Sequence, residues 1–496
     1  MLESTVKKIL NAAVYGAAKA TPLDEAASLS KKLDNRVLIK REDLQSVFSF
    51  KLRGAFNKMQ QLTDEQKKKG VICASAGNHA QGIAESGRIL GVKTTIVMPK
   101  TTPAIKVKSV RDRGGKVILH GDAYDEAFEH SQILMAQEDL TFIHPFDDID
   151  VIAGQGTCAR EILQEVFDPI EAIFIPVGGG GLCAGMAAYI KYLRPEIKII
   201  AVEYEESACL KAAMEAGKRV VLEKVGIFAD GVAVAQIGKA PFDILKDHVD
   251  EVITINAAEI CAAIKDIFDD TRSVAEPAGA LGVAGLKKYV QANNIRDRNL
   301  IAICSGANMN FDRLRYVAEQ SNLGEQTEAL LAVTINEEAG SFKKFCSVVG
   351  KRTITEFNYR YDDPSNAQIF VGVQVSGYED RMSVIKELVE NDYKVDDLTE
   401  NDMATNHIRH MVGGRAEDVV DEKIYRFEFP ERPNALLNFL KQLGFKWNIS
   451  LFHYRNNGAA YGRVLAGIQI PESELTQFES LLSEIGYQYW DESDNP

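Results

Sequence analysis

The stretch Ala172-Ile173-Phe174-Ile175-Pro176-Val177-Gly178-Gly179-Gly180-Gly181-Leu182 decides how the first three hundred residues fold. An unbroken apolar run leads into four glycines, and a segment of helical spacing starts near Leu182. A run that is apolar at nearly every position suits a strand buried on both faces, as in parallel sheets covered by helices. The same order of strand, turn and helix recurs from Val37 onward. Further strand candidates are Val37-Leu38-Ile39, Val71-Ile72-Cys73, Thr95-Ile96-Val97-Met98, Lys116-Val117-Ile118-Leu119, Ile199-Ile200-Ala201-Val202, Glu251-Val252-Ile253-Thr254 and Leu300-Ile301-Ala302-Ile303. Between them, residues 78–90, 103–113 and 122–137 have helical spacing. The pattern predicts a doubly wound α/β architecture with right-handed crossovers. Ligands then belong beyond the carboxyl ends of the strands.

Three loops occupy that place. Ser75-Ala76-Gly77-Asn78-His79-Ala80-Gln81-Gly82 follows the Val71 strand, the tetraglycine follows the Ala172 strand, and Ser305-Gly306-Ala307-Asn308 ends the Leu300 strand. Consecutive glycines let the main chain approach an anion and aim N–H groups at it, and the following helix adds positive charge at its N-terminus. Gly178, Gly179, Gly180, Gly181 and Leu182 therefore suit a phosphate. The Ser75 loop adds a hydroxyl and an amide, which suit a substrate carboxylate. Asn78 can also donate to a phenolic oxygen, while His79 reads equally well as a satisfied histidine in a first helical turn. Upstream, Ser49-Phe50-Lys51-Leu52-Arg53-Gly54-Ala55 offers a lysine whose amine can condense with a carbonyl. An aldehyde anchor, two donor-rich turns and a small hydroxyl are what pyridoxal phosphate needs.

Composition bounds the alternatives. At 496 residues the chain is too long for one core, and about 150 residues per domain predicts roughly three. Lys plus Arg total 57 against 71 for Asp plus Glu, a formal charge of −14, which argues against nucleic acid or an anionic membrane as partner. The seven cysteines form no C-x-x-C pair and mostly sit in apolar runs, which points to reduced core cysteines in a cytoplasmic protein. No segment reaches about 18 unbroken apolar residues, and the N-terminus does not read as a signal peptide.

The four motifs, in this order, resemble those of the serine/threonine dehydratases, beginning with the cofactor-attachment signature from Glu42 through Lys51 to Ala55. The resemblance covers about residues 1–320 and implies a two-lobed pyridoxal-phosphate fold of type II, like the tryptophan synthase β chain. It implies that Lys51 carries the cofactor and that Phe50 lies against its ring. It further implies that Asn78 contacts the ring hydroxyl, that 178–182 hold the phosphate, and that Ser305 faces the pyridine nitrogen. Glu276-Pro277-Ala278-Gly279-Ala280 also matches a family segment near the site, without an assigned role. Members with a divalent-cation site place an acidic cluster after the strand that here ends at Glu203. Ser207 and Cys209 follow instead of a second carboxylate, so no metal is expected. His407-Ile408-Arg409-His410 imitates a metal motif but reads as surface.

After 321–328, a polar linker, the pattern changes and repeats once. Residues 330–337 align with 424–431, Phe342 and Phe345 with Leu436 and Phe439, and Gly350 with Gly444. After a one-residue shift 357–360 align with 452–455, and 373–375 with 468–470. Each unit reads strand, helix, strand, strand with period-two alternation, so 329–401 and 424–494 are expected to be small α+β modules. They resemble the paired ACT-like regulatory modules of biosynthetic threonine deaminases, which bind amino acids. Pro430-Glu431-Arg432-Pro433 resembles the usual turn into the module's helix, and Asn336-Glu337-Glu338-Ala339-Gly340 keeps less of it.

The resemblance as a whole implies deamination of L-threonine to 2-oxobutanoate and ammonia, with Lys51 and Ser305 as catalytic residues and Ser75 and Asn78 toward the substrate. It also implies isoleucine as inhibitor, valine as its antagonist, and a homo-oligomer, a tetramer. A related enzyme acting on L-serine, or an amino-acid sensor without activity, are the alternatives.

Overall fold

A computed structural model describes residues 2–325, 327–336, 341–350, 352–359, 366–408, 420–430, 446–455 and 461–495. The chain divides into two compact units, Met1–Phe311 and Asp312–Pro496. In the first, β1 (Leu23–Glu25), β2 (Arg36–Arg41), β7 (Ala172–Pro176), β8 (Lys198–Tyr204), β9 (Glu251–Ile255) and β10 (Asn299–Cys304) form a sheet of order β1-β2-β10-β7-β8-β9. Four others, β3 (Val71–Ala74), β4 (Thr94–Met98), β5 (Lys116–Leu119) and β6 (Thr141–Phe142), form a second sheet of order β5-β4-β3-β6. Apart from the antiparallel β1–β2 pair, neighbours run parallel. All eight expected strands are present, and they sort into the two lobes that the family resemblance implied. Both β1 and β6 escape a sequence reading because two or three residues carry no period. At the sheet edge, β5 is half-buried or exposed, so its apolar run is not covered on both faces.

Seven helices position the site: α1 (Lys51–Gln60), α2 (Asn78–Leu90), α3 (Ala104–Arg111), α4 (Tyr124–Glu138), α5 (Ile149–Glu165), α6 (Gly181–Leu193) and α7 (Pro277–Asn293). The middle helix of three, α5, meets α1 and α6 backbone to backbone. A Cβ on Gly154 would lie 2.6 Å from the Arg53 carbonyl and 2.7 Å from the Gly54 Cα, and one on Gly54 would lie 2.7 Å from the Val151 carbonyl. Two residues along α5, a Cβ on Gly156 would lie 2.9 Å from the Gly185 carbonyl, and one on Gly185 2.7 Å from the Gly156 nitrogen. Only residues without a side chain allow such crossings.

A fully buried charge cluster fixes the other face of α1. The Arg53 guanidinium donates to both Glu42 oxygens at 2.7 and 2.8 Å, and to both Glu161 oxygens at 2.6 and 2.9 Å. Lys40 lies 2.7 Å from Glu161, and Thr21 donates to Glu42 at 2.5 Å. Two cations face two carboxylates, so each charge removed from water meets its opposite.

In the second unit, α8 (Arg313–Gly324) precedes two antiparallel sheets. One contains β11 (Glu328–Asn336), β12 (Ile354–Tyr359), β13 (Asn366–Gln374) and β14 (Lys394–Asp397) in the order β12-β13-β11-β14. The other contains β15 (Glu422–Pro430), β16 (Asn448–Arg455), β17 (Tyr461–Gln469) and β18 (Gln488–Asp491) in the order β16-β17-β15-β18. Helices α9 (Ser341–Val349), α10 (Tyr378–Glu390) and α11 (Leu475–Ile485) accompany them. The repeat is deeper than the sequence suggested, since each copy adds a helix and a fourth strand. Even a register irregularity is repeated, between Ile354 and Glu356 and between Ile449 and Leu451.

Two local expectations change. Ser321 to Gly324, expected in a linker, are the last turn of α8, and the Glu325 N–H still donates to the Ser321 carbonyl at 3.0 Å. Polar composition did not prevent helix formation there, because Tyr316, Val317 and Ser321 are buried. His407, expected at the surface, is fully buried, with its N–H donating to the Met403 carbonyl at 2.9 Å. Arg409, His410, Gln326, residues 337–340 and 431–433, Leu436, Phe439 and Gly444 lie outside the described residues, as does the side chain of Phe342. The six cysteines whose side chains are described are free and buried. Among the described residues no helix is long and apolar enough to cross a membrane.

Candidate active site

Helix α1 begins at Lys51, and the segment before it pairs with the loop after β10. Ser49 forms a bridge with Gly306, the Phe50 N–H donates to the Ser305 carbonyl at 3.2 Å, and the Ala307 N–H donates to the Phe48 carbonyl at 2.9 Å. Lys51 and Ser305, 254 positions apart in the chain, are thereby joined through the backbone. The Lys51 ammonium donates to the Pro145 carbonyl at 3.3 Å and lies 5.1 Å from the centre of the Phe50 ring. Burial disfavours its charge and pulls its pKa down to about 8, while the Glu276 carboxylate works in the opposite direction. An amine in that range is partly neutral near physiological pH, as a nucleophile or base must be.

Asn78 opens α2 and donates to Glu276 at 2.5 Å. Its carbonyl oxygen accepts from Asn308 at 2.6 Å, and Asn308 also donates to the Val47 carbonyl at 2.8 Å. Glu276, N-terminal to α7, thus connects Asn78 electrostatically with Lys51. The Ser305 hydroxyl is buried and donates to the Ala278 carbonyl at 3.3 Å. Ser75 is half-buried, its hydroxyl accepting from the Gly77 N–H at 3.3 Å. His79 belongs to the scaffold: its Nε2 meets the Ile143 carbonyl at 3.0 Å, and burial, with the nearby Lys51 charge, holds its pKa down to about 3.

The tetraglycine lies between β7 and α6, with Gly180 at φ 90°. A Cβ on Gly178 would lie 2.8 Å from the Val232 Cα, one on Gly179 would overlap the Phe146 ring, and one on Gly180 would lie 2.7 Å from Ile237. Leu182 points into the core of the larger lobe, so its share in an anion site is its backbone. Neighbouring residues tie the two ends of the site together, since the Pro145 carbonyl takes the Lys51 amine while Phe146 covers Gly179. The set fits pyridoxal phosphate: a half-buried lysine of lowered pKa beside an aromatic ring, an oxygen at Ser305, an amide at Asn78, and a glycine turn packed too closely for side chains.

Residues 14–306 match the family of pyridoxal-phosphate dependent enzymes, and residues 319–408 and 413–496 match the C-terminal regulatory domain of threonine dehydratase. The biosynthetic L-threonine dehydratase of Salmonella typhimurium is 55% identical over 99% of this chain and 95% of its own length. The chain belongs to the biosynthetic threonine dehydratases. A solved structure of the processed form of threonine deaminase isoform 2 from Solanum lycopersicum superposes with a TM-score of 0.63 at 46% identity, covering 64% of this chain and 93% of that one. Maize serine racemase, at a TM-score of 0.59 and 30% identity, covers 62% of this chain and 95% of that one.

Within this dehydratase, four contributors carried no assigned role in the sequence: Glu276, Asn308, Pro145 and Phe146. Glu276 was legible as an acid before a helix-opening proline. Pro145 and Phe146 follow a two-residue strand and left no local signal. At the position of the family's acidic cluster, the Glu203 carboxylate is buried and accepts from the Leu210 and Lys211 N–H groups, both at 2.8 Å. Burial raises its pKa to about 7. Among the described residues no group of three or more His, Cys, Asp or Glu side chains is placed to hold a metal.

Proposed function

We infer that this enzyme deaminates L-threonine to 2-oxobutanoate and ammonia, the first step towards isoleucine. The observation that carries the reading is the Lys51 amine, its pKa held down to about 8 by desolvation, beside the Glu276 carboxylate that Asn78 also meets and on a segment whose backbone pairs with Ser305. Pyridoxal phosphate, when bound, supplies a carbonyl for the amino group and a ring that accepts negative charge from the α-carbon. The chain's residues do the rest. Loop 178–181 with the N-terminus of α6 would hold the phosphate, and Phe50 would support the ring. Ser75 and Asn78 hold the substrate carboxylate, with Asn78 also toward the ring oxygen. Lys51, once displaced, is the base that takes the α-proton. Ser305 would offer the ring nitrogen an uncharged oxygen, leaving the ring without the protonating carboxylate that would hold more negative charge there.

Residues 1–320 form the catalytic domain, and 329–401 and 424–494 are the regulatory modules. The modules bind isoleucine, which inhibits, and valine, which opposes it, in a cytoplasmic homotetramer whose contacts carry the coupling. A 2-oxo acid assay with L-threonine against L-serine tests the substrate; preference for serine would replace the reading with its nearest rival. Full-length protein indifferent to millimolar isoleucine, or equally inhibited after truncation near Gln320, would remove the regulatory part.

A further inference from the structure

The short turn Asp230–Val232 lies where the two halves of the site meet. At one end, Val232 backs the phosphate loop, its Cα 2.8 Å from where a Gly178 Cβ would be. In its middle, a Cβ on Gly231 would lie 2.8 Å from the Ala278 Cβ, 3.6 Å from Glu276 Oε1 and 3.7 Å from Asn78 Nδ2. The turn therefore borders the phosphate side and the substrate side at once. Within the turn, the Val232 N–H donates to the Ala229 carbonyl at 2.9 Å, and the Ala233 N–H to the Asp230 carbonyl at 3.3 Å. Asp230 forms an ion pair with Lys106. Lys106 sits on α3, between β4 and β5 of the four-stranded lobe, and α3 is tied to α2 by the Ser109 hydroxyl donating to Gln81 at 3.0 Å. The turn itself lies between β8 and β9 of the six-stranded lobe. The pair crosses from one lobe to the other with side-chain exposures of 13% and 30%, partly out of water, where a charge pair is less screened than at the surface.

We propose that the Lys106–Asp230 ion pair is a latch between the lobes, holding the Asp230–Val232 turn as a roof over the active site, and that substrate enters when it opens. The proposal rests on the threonine-deaminating reading for its kinetics but not for its structural test. Lys106 is a positioning residue: its charge holds the turn in place, and the turn encloses the substrate.

The test is the holoenzyme carrying Lys106→Ala, with Asp230→Asn as second variant and Lys106→Arg as the conservative one. In Lys106→Ala and Asp230→Asn, KM for threonine should rise about fivefold, with kcat changed much less and the absorbance of the bound cofactor unchanged. Deuterium exchange at the Val232 and Ala233 amides should accelerate in both, and Lys106→Arg should restore wild-type values. Exchange and KM both at wild-type values in the two charge-removing variants would overturn the latch, as would a fall in kcat at constant KM. Absence of threonine turnover in the wild type would strike the assigned reaction instead, leaving the exchange measurement to decide the latch.

Discussion

Lys51 and Arg53 stand two residues apart at the start of α1, Lys51 half-buried and Arg53 wholly removed from water, and their pKa values move in opposite directions. Arg53 is surrounded by Glu42 and Glu161, whose charges outweigh the cost of desolvation and hold its pKa well above the usual guanidinium value. Lys51 has a carbonyl oxygen and an aromatic ring as neighbours and, among the described residues, Glu276 as the carboxylate acting on its charge, so desolvation prevails. Distance from water alone therefore does not decide whether a buried cation is structural or reactive. The number of counter-charges admitted with it does.

The contrast breaks most visibly at Lys51 itself. Lys51→Ala should lower turnover by about three orders of magnitude and abolish the absorbance of lysine-bound cofactor, while far-UV circular dichroism stays native. Near-normal turnover in that variant would end the assignment. Arg53→Ala should act on the other quantity. It leaves Glu42 and Glu161 facing Lys40 alone, and should cost about 3–5 kcal/mol in denaturant unfolding of the catalytic unit. A loss below about 1 kcal/mol would mean that the cluster does not hold α1.

Two smaller effects sharpen the comparison from the side of the Lys51 pocket. Ser305→Asp brings a carboxylate to a pocket that admits almost none, should hold the ring nitrogen protonated, and should slow turnover about tenfold with new long-wavelength absorbance. An unchanged spectrum and rate would place Ser305 away from the ring. The smallest effect is a pH midpoint. With the Lys51 pKa lowered to about 8 from 10.5, apoprotein should take up pyridoxal phosphate faster as pH rises and level off above about 8. The sign follows from protonation: below that value the amine is mostly ammonium and cannot attack the aldehyde. Glu276→Gln removes the charge that stabilises the ammonium, so its midpoint should move to lower pH in stopped-flow traces. A move upward would reverse the role given to Glu276.

The same contrast explains what could be read from the sequence. Lys51, the Ser75 loop, the tetraglycine and Ser305 were legible because strand, turn and helix are local, and glycine marks where the backbone must do a side chain's work. Helix 78–90 was placed to the residue for the same reason, ending at Gly91 in the left-handed conformation. The Arg53 cluster was not legible, because its carboxylates lie 11 and 108 positions away and nothing in either segment names the other. Phe146 was missed for a similar reason. Its segment is fixed by Asp147, which accepts from the Lys239 and Ala240 N–H groups at 2.9 and 2.7 Å, more than ninety positions on. In the regulatory modules, β14 and β18 were missed as edge strands of four residues, Lys394-Val395-Asp396-Asp397 and Gln488-Tyr489-Trp490-Asp491, with little burial to impose a pattern.

The glycine crossings of α5 have a consequence for how this site can change over time. The lysine rides on α1, the tetraglycine opens α6, and α5 meets the backbone of both helices through Gly154 and Gly156. The span from the Lys51 amine to the tetraglycine is thus gauged by main chain against main chain, as in a caliper without an adjusting screw. Substitutions elsewhere in the pocket can retune which amino acid is accepted, but one methyl group at Gly154 or Gly156 would reset the instrument. Such a lineage is free to explore new substrates while the length of its cofactor stays fixed.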